Sequence, residues 1–308
     1  MEDNILDVII IGSGPAGLCA AIYAKRAQLD MLVLEKDFSG GGQMVKTYEV
    51  DNYPGLPGMS GFDMAEAFRK HADKLEAAFS RENVKKILPE GNLKRVVTNK
   101  KEYLTRSVVL AGGARHRQLG IPGEEELSGM GVSYCATCDG AFFKDGTAAV
   151  IGGGDVAVED AVFLSRICKK VFLIHRRDEL RAAKILQERL MELDNVEILW
   201  EYVPLEIKGS DKVEALLIKN VKTEEEKTLS VDGVFIAVGI LPNTEEFQEL
   251  VEVNDAGYII AGEDCASSVP GIFAAGDIRT KQLRQIITAA ADGANAIESV
   301  QKYLLGMK

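Results

Sequence analysis

Residues 5–11 are apolar except for Asp7, as expected of a strand covered on both faces. Residues 16–28 change to a helical period and residues 31–35 are apolar again, so the chain opens as a βαβ unit. A loop rich in glycine and proline runs over 39–61. A helix is predicted from about Ser60, with Asp63 as a weak capping signal and Phe62, Ala65, Phe68, Ala72 and Leu75 at helical spacing. Short alternating segments at 84–88, 93–98 and 102–104 predict an antiparallel meander, and 107–110 reads as a buried strand. The order then repeats at an offset of 140 residues: strand 148–151, glycine turn, helix 156–167, strand 171–174, helix 182–193. A second meander is predicted at 196–199, 213–219 and 227–231, ending in a buried strand at 234–238 that Gly239 and Pro242 break. The last segment holds an apolar strand ending in Gly276-Asp277 and a long helix from about Arg284 to Tyr303. A duplication with a returning tail means that the second domain is inserted into the first.

Both strand-to-helix turns carry glycines in a dinucleotide-binding spacing. The first, Gly12-Ser13-Gly14-Pro15-Ala16-Gly17, follows an apolar strand, opens a helix and precedes Glu35 at the end of the next strand. Such glycines allow a tight turn and close backbone approach to a pyrophosphate, the helix N-terminus supplies N–H donors, and the acid accepts from a ribose hydroxyl. The second, Gly152-Gly153-Gly154-Asp155-Val156-Ala157, ends in alanine, and where the acid should stand the strand ends in His175-Arg176-Arg177, with Arg181 beyond. Guanidinium groups present paired donors to phosphate, so this half is expected to take a 2′-phosphorylated nucleotide, NADPH rather than NADH. Different strand ends predict different ligands, and FAD in the first half with NADPH in the second is the simplest assignment. Gly276-Asp277 fits a flavin nucleotide, because a carboxylate at a strand end accepts from ribityl or phosphate-linked hydroxyls. The helix from Arg284 would aim its N-terminus at the flavin pyrimidine and stabilise the anion formed on reduction.

Composition narrows the reading further. A chain of 308 residues fits two domains. No apolar run reaches the roughly 20 residues of a membrane span, and a net charge of −11 disfavours nucleic acid as the main partner. The acidic start Met1-Glu2-Asp3-Asn4 lacks the basic region of a secretory signal, which predicts a cytoplasmic protein. Of five cysteines only Cys135 and Cys138 have motif spacing, in Cys135-Ala136-Thr137-Cys138-Asp139-Gly140 between the two fingerprints. Cys19, Cys168 and Cys265 read as small buried or neutral residues. A pair spaced this way can be a redox dithiol, half a zinc site or coincidence. The zinc reading lacks partners, because there is no second pair and His71, His116 and His175 are not spaced as ligands. A dithiol between two nucleotide sites reads as an electron relay. A helix following Cys138 would lower a thiol pKa through its dipole. Asp139 is placed to return a proton to a leaving thiolate or a flavin, or to cap that helix.

With Gly41-Gly42-Gln43, Asp51-Asn52-Tyr53-Pro54-Gly55, Arg284-Gln285 and Thr288-Ala289-Ala290 added, the chain resembles the low-molecular-weight, bacterial-type thioredoxin reductases over nearly its whole length. The resemblance implies an α/β fold of two Rossmann-like nucleotide-binding domains, three-layer ββα. An NADPH-binding and redox-dithiol domain at 115–243 would be inserted into an FAD-binding domain formed by 1–114 and 244–308. It implies flavin contacts at Gly12, Ser13, Gly14, Pro15, Ala16, Gly17, Glu35, Lys36, Gly42, Gln43, Asn52, Gly112, Gly276, Asp277, Arg284, Gln285 and Ile286. NADPH contacts are implied at Gly152, Gly154, Asp155, Ala157, His175, Arg176, Arg177, Arg181 and Gly239. The Cys135–Cys138 disulfide would exchange electrons with the flavin through Cys138 and with thioredoxin through Cys135, with Asp139 as proton donor. Phe142 and Phe143 match an aromatic pair that helps dock thioredoxin, and a homodimer is implied.

Three positions depart from the family pattern: Val156 for a small hydroxyl residue, Gly112 for a threonine, and Met130 for a basic residue. Because dithiol and nicotinamide would share one domain and both must reach the flavin, rotation about Gly112-Gly113 and 239–243 is expected. Two rivals stand beside this reading: a flavin-dependent reductase of another protein disulfide, serving a peroxidase or a thioredoxin-like protein, and a non-enzymatic redox sensor that binds nucleotides. The complete arginine cluster argues against reduction by ferredoxin.

Overall fold

A computed structural model of the chain describes residues 5–37, 40–47 and 49–307. The chain divides into two compact units, Met1–Arg115 with Leu241–Lys308, and His116–Ile240. The second is therefore an insertion in the first.

The first stretch of the chain contributes β1 (Leu6–Ile11), α1 (Pro15–Arg26), β2 (Met31–Glu35), α2 (Gly61–Lys74), β3 (Ala78–Arg81), β4 (Val84–Glu90), β5 (Leu93–Thr98), β6 (Glu102–Leu110) and β7 (Ala114–His116). The inserted unit adds β8 (Val132–Ser133), the single turn α3 (Ala136–Asp139), β9 (Thr147–Ile151), α4 (Asp155–Leu164), β10 (Lys170–His175), α5 (Lys184–Met191), β11 (Val196–Trp200), β12 (Tyr202–Gly209), β13 (Val213–Asn220), β14 (Glu226–Ser230) and β15 (Gly233–Ile236). After β16 (Ile240–Pro242), the tail supplies β17 (Ile272–Ala274) and α6 (Ile286–Gly306).

In the outer unit the sheet runs β3-β2-β1-β6-β5-β4, with β17 also on β6. The sequence predicted two short strands at 102–104 and 107–110, whereas the structure has one continuous β6. Its first half pairs antiparallel with β5 and its second half parallel with β1 and β17. Arg106 broke the apolar pattern, but its guanidinium reaches Asp7 at 2.9 Å, so the strand passes through it. Alternation along the strands sorts the core into two layers. Val8, Ile10, Val33 and Val109 pack on Ala16, Ala20, Ala24 and the α6 residues Ala289, Ala296, Ile297 and Val300. Ile9, Ile11, Leu34, Val108 and Leu110 pack beneath Val84, Ile87, Val96 and Phe247. Helix α2 begins at Ser60, whose side chain accepts from the Asp63 N–H. Of its predicted apolar stripe, Phe62 is exposed and Met64 is fully buried instead.

In the inserted unit the sheet β11-β10-β9-β15-β8 is parallel throughout. Helices α4 and α5 cover one face through Val158, Ala161, Leu164 and Leu190. The separate antiparallel sheet β12-β13-β14 covers the other through Ile207, Leu216, Ile218 and Leu229. Each unit is thus a ββα sandwich built on parallel strands. Here the sequence reading needs correcting: residues 196–199 are not a meander strand but β11, paired parallel with β10. The true first meander strand, β12, contains Pro204, which cannot donate to a ladder. It is tolerated because β12 is an edge strand with a register shift between Pro204 and Glu206.

Candidate functional site: two nucleotide cradles and a disulfide

In the outer unit, β1 delivers the chain into Gly12, whose φ of +102° favours glycine. A Cβ on Gly12 would meet Ala111 O at 2.5 Å, and one on Gly17 would collide with the Gly12 carbonyl. Strand and helix are therefore as close as backbone allows. Gly14 is the N-cap of α1 and Pro15 its first residue, which wastes no donor, since that N–H has no partner within the helix. Ser13 is buried and ties the turn to Glu35: its N–H and hydroxyl both reach Oε2, at 2.8 and 2.6 Å. The Asp37 N–H donates to Oε1 at 2.9 Å. A carboxylate has about four acceptor positions, so Glu35 retains room for one more donor. The loop carrying Gly42 lies across this turn, with the Gly41 N–H on Ser13 O at 3.0 Å. Gln43 Nε2 donates to Ala114 O.

Residues far apart in sequence converge on the same unit. Asn52 Nδ2 donates to Gln285 Oε1 at 2.9 Å, and Gln285 caps α6 reciprocally with Thr288. Ile286 packs on Met44, Val50 and Met64. Lys36 is exposed. Gly276 and Asp277 follow β17. Burial raises the Asp277 carboxyl above its ordinary range against the pull of Lys281 and Arg284. Its Oδ1 and Arg284 Nε are buried and lack a hydrogen-bond partner among the described residues. Two polar atoms left open beside a glycine cradle are what a polar ligand would complete.

What sequence reasoning missed is the anchor beneath Gly276. Asp292, buried in the otherwise apolar middle of α6, takes Arg279 at 2.9 and 2.6 Å, Lys281 at 2.8 Å and the Gly276 N–H at 2.9 Å. Burial opposes the charge, but these donors hold the Asp292 carboxyl below its usual range. An acid on the apolar face of a long helix was the available signal. Gly112, where the family pattern has a threonine, has ordinary space for a Cβ, and Asn243 braces the segment by bonding Gly112 O and Gly113 O.

In the inserted unit the second fingerprint repeats this plan with other chemistry. Gly154 caps α4 and has nothing within 4 Å of a built Cβ. Ala157 is buried, and Asp155 Oδ1 accepts the Ala183 N–H at 2.7 Å. The Arg181 N–H donates to Gly153 O at 2.7 Å. These bonds fold residues 176–183 back onto the fingerprint. Arg176, Arg177 and Arg181 are all exposed, and none makes an ion pair among the described residues. His175 differs: it is buried with Nε2 at 2.9 Å from Glu179 O, and burial pushes its pKa down. Val156 is exposed on the first turn of α4, Gly239 O accepts the Arg117 N–H, and Met130 is exposed.

Cys135 and Cys138 form a disulfide with Cα atoms 5.3 Å apart. The expected helix after Cys138 is absent. Cys135 caps the single turn α3, Cys138 lies inside it, and a 3₁₀ turn over Gly140–Phe143 follows. One turn has too few aligned peptides for a substantial dipole, so other groups must act on the sulfurs. The Thr137 hydroxyl lies 3.3 Å from Cys135 Sγ, and since a disulfide sulfur has no proton the hydroxyl donates. Asp139 ends the turn and stands at the N-cap position of the 3₁₀ turn that follows, but its side chain makes no capping hydrogen bond there. Burial raises its carboxyl while the Ser133 hydroxyl, at 2.5 Å from Oδ2, pulls it down. Of the aromatic pair, Phe142 is exposed, whereas Phe143 turns inward onto Phe235. The other cysteines are inert: burial lifts Cys19 and Cys168 to about 11 and Cys265 to about 12. Among the described residues no cluster could hold a metal ion, and no helix is long and apolar enough to cross a membrane.

Two dinucleotide cradles and a paired disulfide in one chain define a nucleotide-dependent disulfide oxidoreductase. The profile of the pyridine nucleotide-disulphide oxidoreductases matches residues 6–293. A thioredoxin reductase of Listeria monocytogenes is 46% identical over 100% of this chain and 96% of its own length. The structure of the Streptococcus pyogenes thioredoxin reductase superposes with a TM-score of 0.94 at 45% identity, covering 99% of this chain and 100% of that one. The Lactococcus lactis thioredoxin reductase in its FR conformation gives 0.67 at 43% identity, covering 98% and 99%. The chain belongs to the pyridine nucleotide-disulphide oxidoreductase family and is an enzyme of the low-molecular-weight bacterial type. Membership implies flavin and nicotinamide cofactors.

Proposed function

We propose that the protein is an NADPH-dependent thioredoxin-disulfide reductase that holds FAD in the outer unit and NADPH in the inserted one. The disulfide in the arginine-bearing unit carries this reading. The outer cradle suits FAD: Glu35 has a free acceptor position, Asp277 and Arg284 keep polar atoms open, and Gly12, Gly14 and Gly42 let the turn approach its neighbouring backbone closely. Lys36, Gln43, Asn52, Gln285 and Ile286 extend that site. The second suits a 2′-phosphate: Gly154 is open for the pyrophosphate and three unpaired guanidinium groups stand where an acid would select NADH. Bound flavin supplies the two-electron chemistry that links nicotinamide to sulfur.

The chain's own residues do the rest. When two electrons open the Cys135–Cys138 bond, two sulfurs need protons or donors. Thr137 solvates Cys135, keeping it available as thiolate. Asp139 gives a proton to the other released sulfur, and burial raises its affinity for that proton. Cys135 thiolate then attacks the disulfide of oxidised thioredoxin and forms a mixed disulfide. Cys138 returns its proton to Asp139 and attacks Cys135 Sγ as a thiolate; the thioredoxin sulfurs take up one proton from Asp139 and one from solvent, which releases reduced thioredoxin and restores the starting bond. Exposed Phe142 and Met130 offer apolar surface to the partner. Because the dithiol and the second fingerprint share a unit, the two units reorient between half-reactions about the segments at Gly113 and Gly239, both at positive φ. We place the enzyme in the cytoplasm as a homodimer.

The test is direct. Purified protein should be yellow and bleach with NADPH far faster than with NADH. Cys138→Ser should still bleach yet lose thioredoxin reduction to background. Undiminished reduction by that variant removes the dithiol from the mechanism, and single rather than multiple turnovers would favour a sensor.

A further inference from the structure

Reducing a disulfide to two thiols takes two electrons and two protons. NADPH supplies a hydride, which is two electrons and one proton, so over a full turnover one further proton enters from solvent, and an acid beside the sulfurs is placed to relay it. Asp139 is the acid next to the disulfide, and its surroundings show what controls it. Ser133 is buried at the end of β8. Its Oγ accepts the Cys135 N–H at 3.0 Å and donates its one hydrogen to Asp139 Oδ2 at 2.5 Å, while the alternative acceptor, Cys135 O, is 3.4 Å away. The second carboxylate oxygen, Oδ1, is buried with no partner among the described residues. One hydroxyl therefore fastens the reactive cysteine's backbone to the acid and supplies the carboxylate's hydrogen bond.

We propose that Ser133 is a positioning residue that sets how tightly Asp139 holds the proton it delivers to the opened disulfide. This rests on the reading of Asp139 as the proton source. The neighbours add no competing charge. Strand β8 and the 3₁₀ turn over Gly140–Phe143 carry none. Helix α4 packs on this turn, with Phe163 and Leu164 against Gly140, and its acids Asp155, Glu159 and Asp160 do not shift Asp139. Burial favours the protonated acid and the Ser133 hydroxyl favours the carboxylate, so the two act on Asp139 in opposite directions. Without the hydroxyl both oxygens lack a donor, and Asp139 holds its proton to higher pH.

The pH profile of thioredoxin reduction by the holoenzyme reads this. Its alkaline limb, where Asp139 loses the proton, should move up by about one pH unit in Ser133→Ala, a tenfold change in proton affinity. Ser133→Thr and Ser133→Val form a shape-matched pair should the alanine variant fold poorly. The threonine should keep the native limb and the valine should shift like alanine. The carboxyl stretch of Asp139, identified by its loss in Asp139→Asn and titrated by infrared spectroscopy in the oxidised enzyme, should shift in the same direction. An unshifted carboxyl titration in both Ala and Val overturns the role of Ser133. If the titration shifts but Asp139→Asn retains the alkaline limb, Asp139 is not the proton source, and that reading fails separately.

Discussion

The two units carry the same βαβ opening 140 residues apart, and at that offset Ser13 corresponds to Gly153 and Glu35 to His175. In the outer unit a small polar side chain in the glycine turn donates to an acid at the end of the second strand. In the inserted unit the turn has no side chain at that place. The His175 ring occupies the space instead, so a Cβ on Gly153 would collide with it. Each pair fills one volume in a different way. The first leaves an acceptor facing outward, and the second locks an imidazole inward and pushes the arginines that follow it into solvent. The lesson is that a strand-end residue chooses the ligand partly by what it lets the next residues do. His175, expected from sequence as a ligand contact, is better placed to support the loop.

Removing the three guanidinium groups breaks the contrast most strongly. Each hydrogen bond to a charged group is worth about 1.5–3 kcal/mol, so Arg176→Ala with Arg177→Ala and Arg181→Ala should raise the KM for NADPH by at least about a hundredfold. The KM for NADH should barely move. Equal losses for both nucleotides in steady-state assays would deny the 2′-phosphate role.

Gly153→Ser copies the outer unit's turn into the inserted one without its partner acid. Overpacking against His175 should cost about 1–3 kcal/mol, read as an earlier unfolding transition of the inserted unit. Adding His175→Ala should recover part of that loss, whereas no recovery would mean the ring is not what blocks the site.

The smallest effect concerns acid. His175 is held neutral, chiefly by burial and with Arg181 and Arg177 reinforcing it, so its folded pKa lies below the ordinary 6.5. Its stabilising contribution is complete above that value and declines as pH falls from 6.5 toward the folded pKa, because the unfolded chain binds the proton first. Melting of the inserted unit should therefore lose temperature over that window, and His175→Asn should flatten the dependence. An identical slope in the variant would assign the acid sensitivity elsewhere.

Elements whose period matched their burial were legible: both βαβ openings, the Ser60 cap and α6. Others depended on partners. Residues 196–199 and β12 look alike as short apolar segments, and only pairing decides that one joins the parallel sheet and the other tolerates Pro204 at an edge. Phe142 and Phe143 are adjacent and identical in kind, yet one is exposed and the other packs on Phe235. Nothing local distinguishes them, because burial depends on what the rest of the chain brings against each face.

By itself the chain specified the chemistry on offer: glycines where backbone must approach a ligand, acid or guanidinium at strand ends, and a cysteine pair close enough to bond. These follow from residue type and spacing within a few turns. The three-dimensional packing alone determined the electrostatics of those groups. Asp292 beneath Gly276 and His175 against Gly153 act through contacts between residues well separated along the backbone, while Ser133, only two and six residues from Cys135 and Asp139, owes its influence to the burial the surrounding fold imposes. Such effects depend on distance and dielectric, which sequence neighbours do not prescribe.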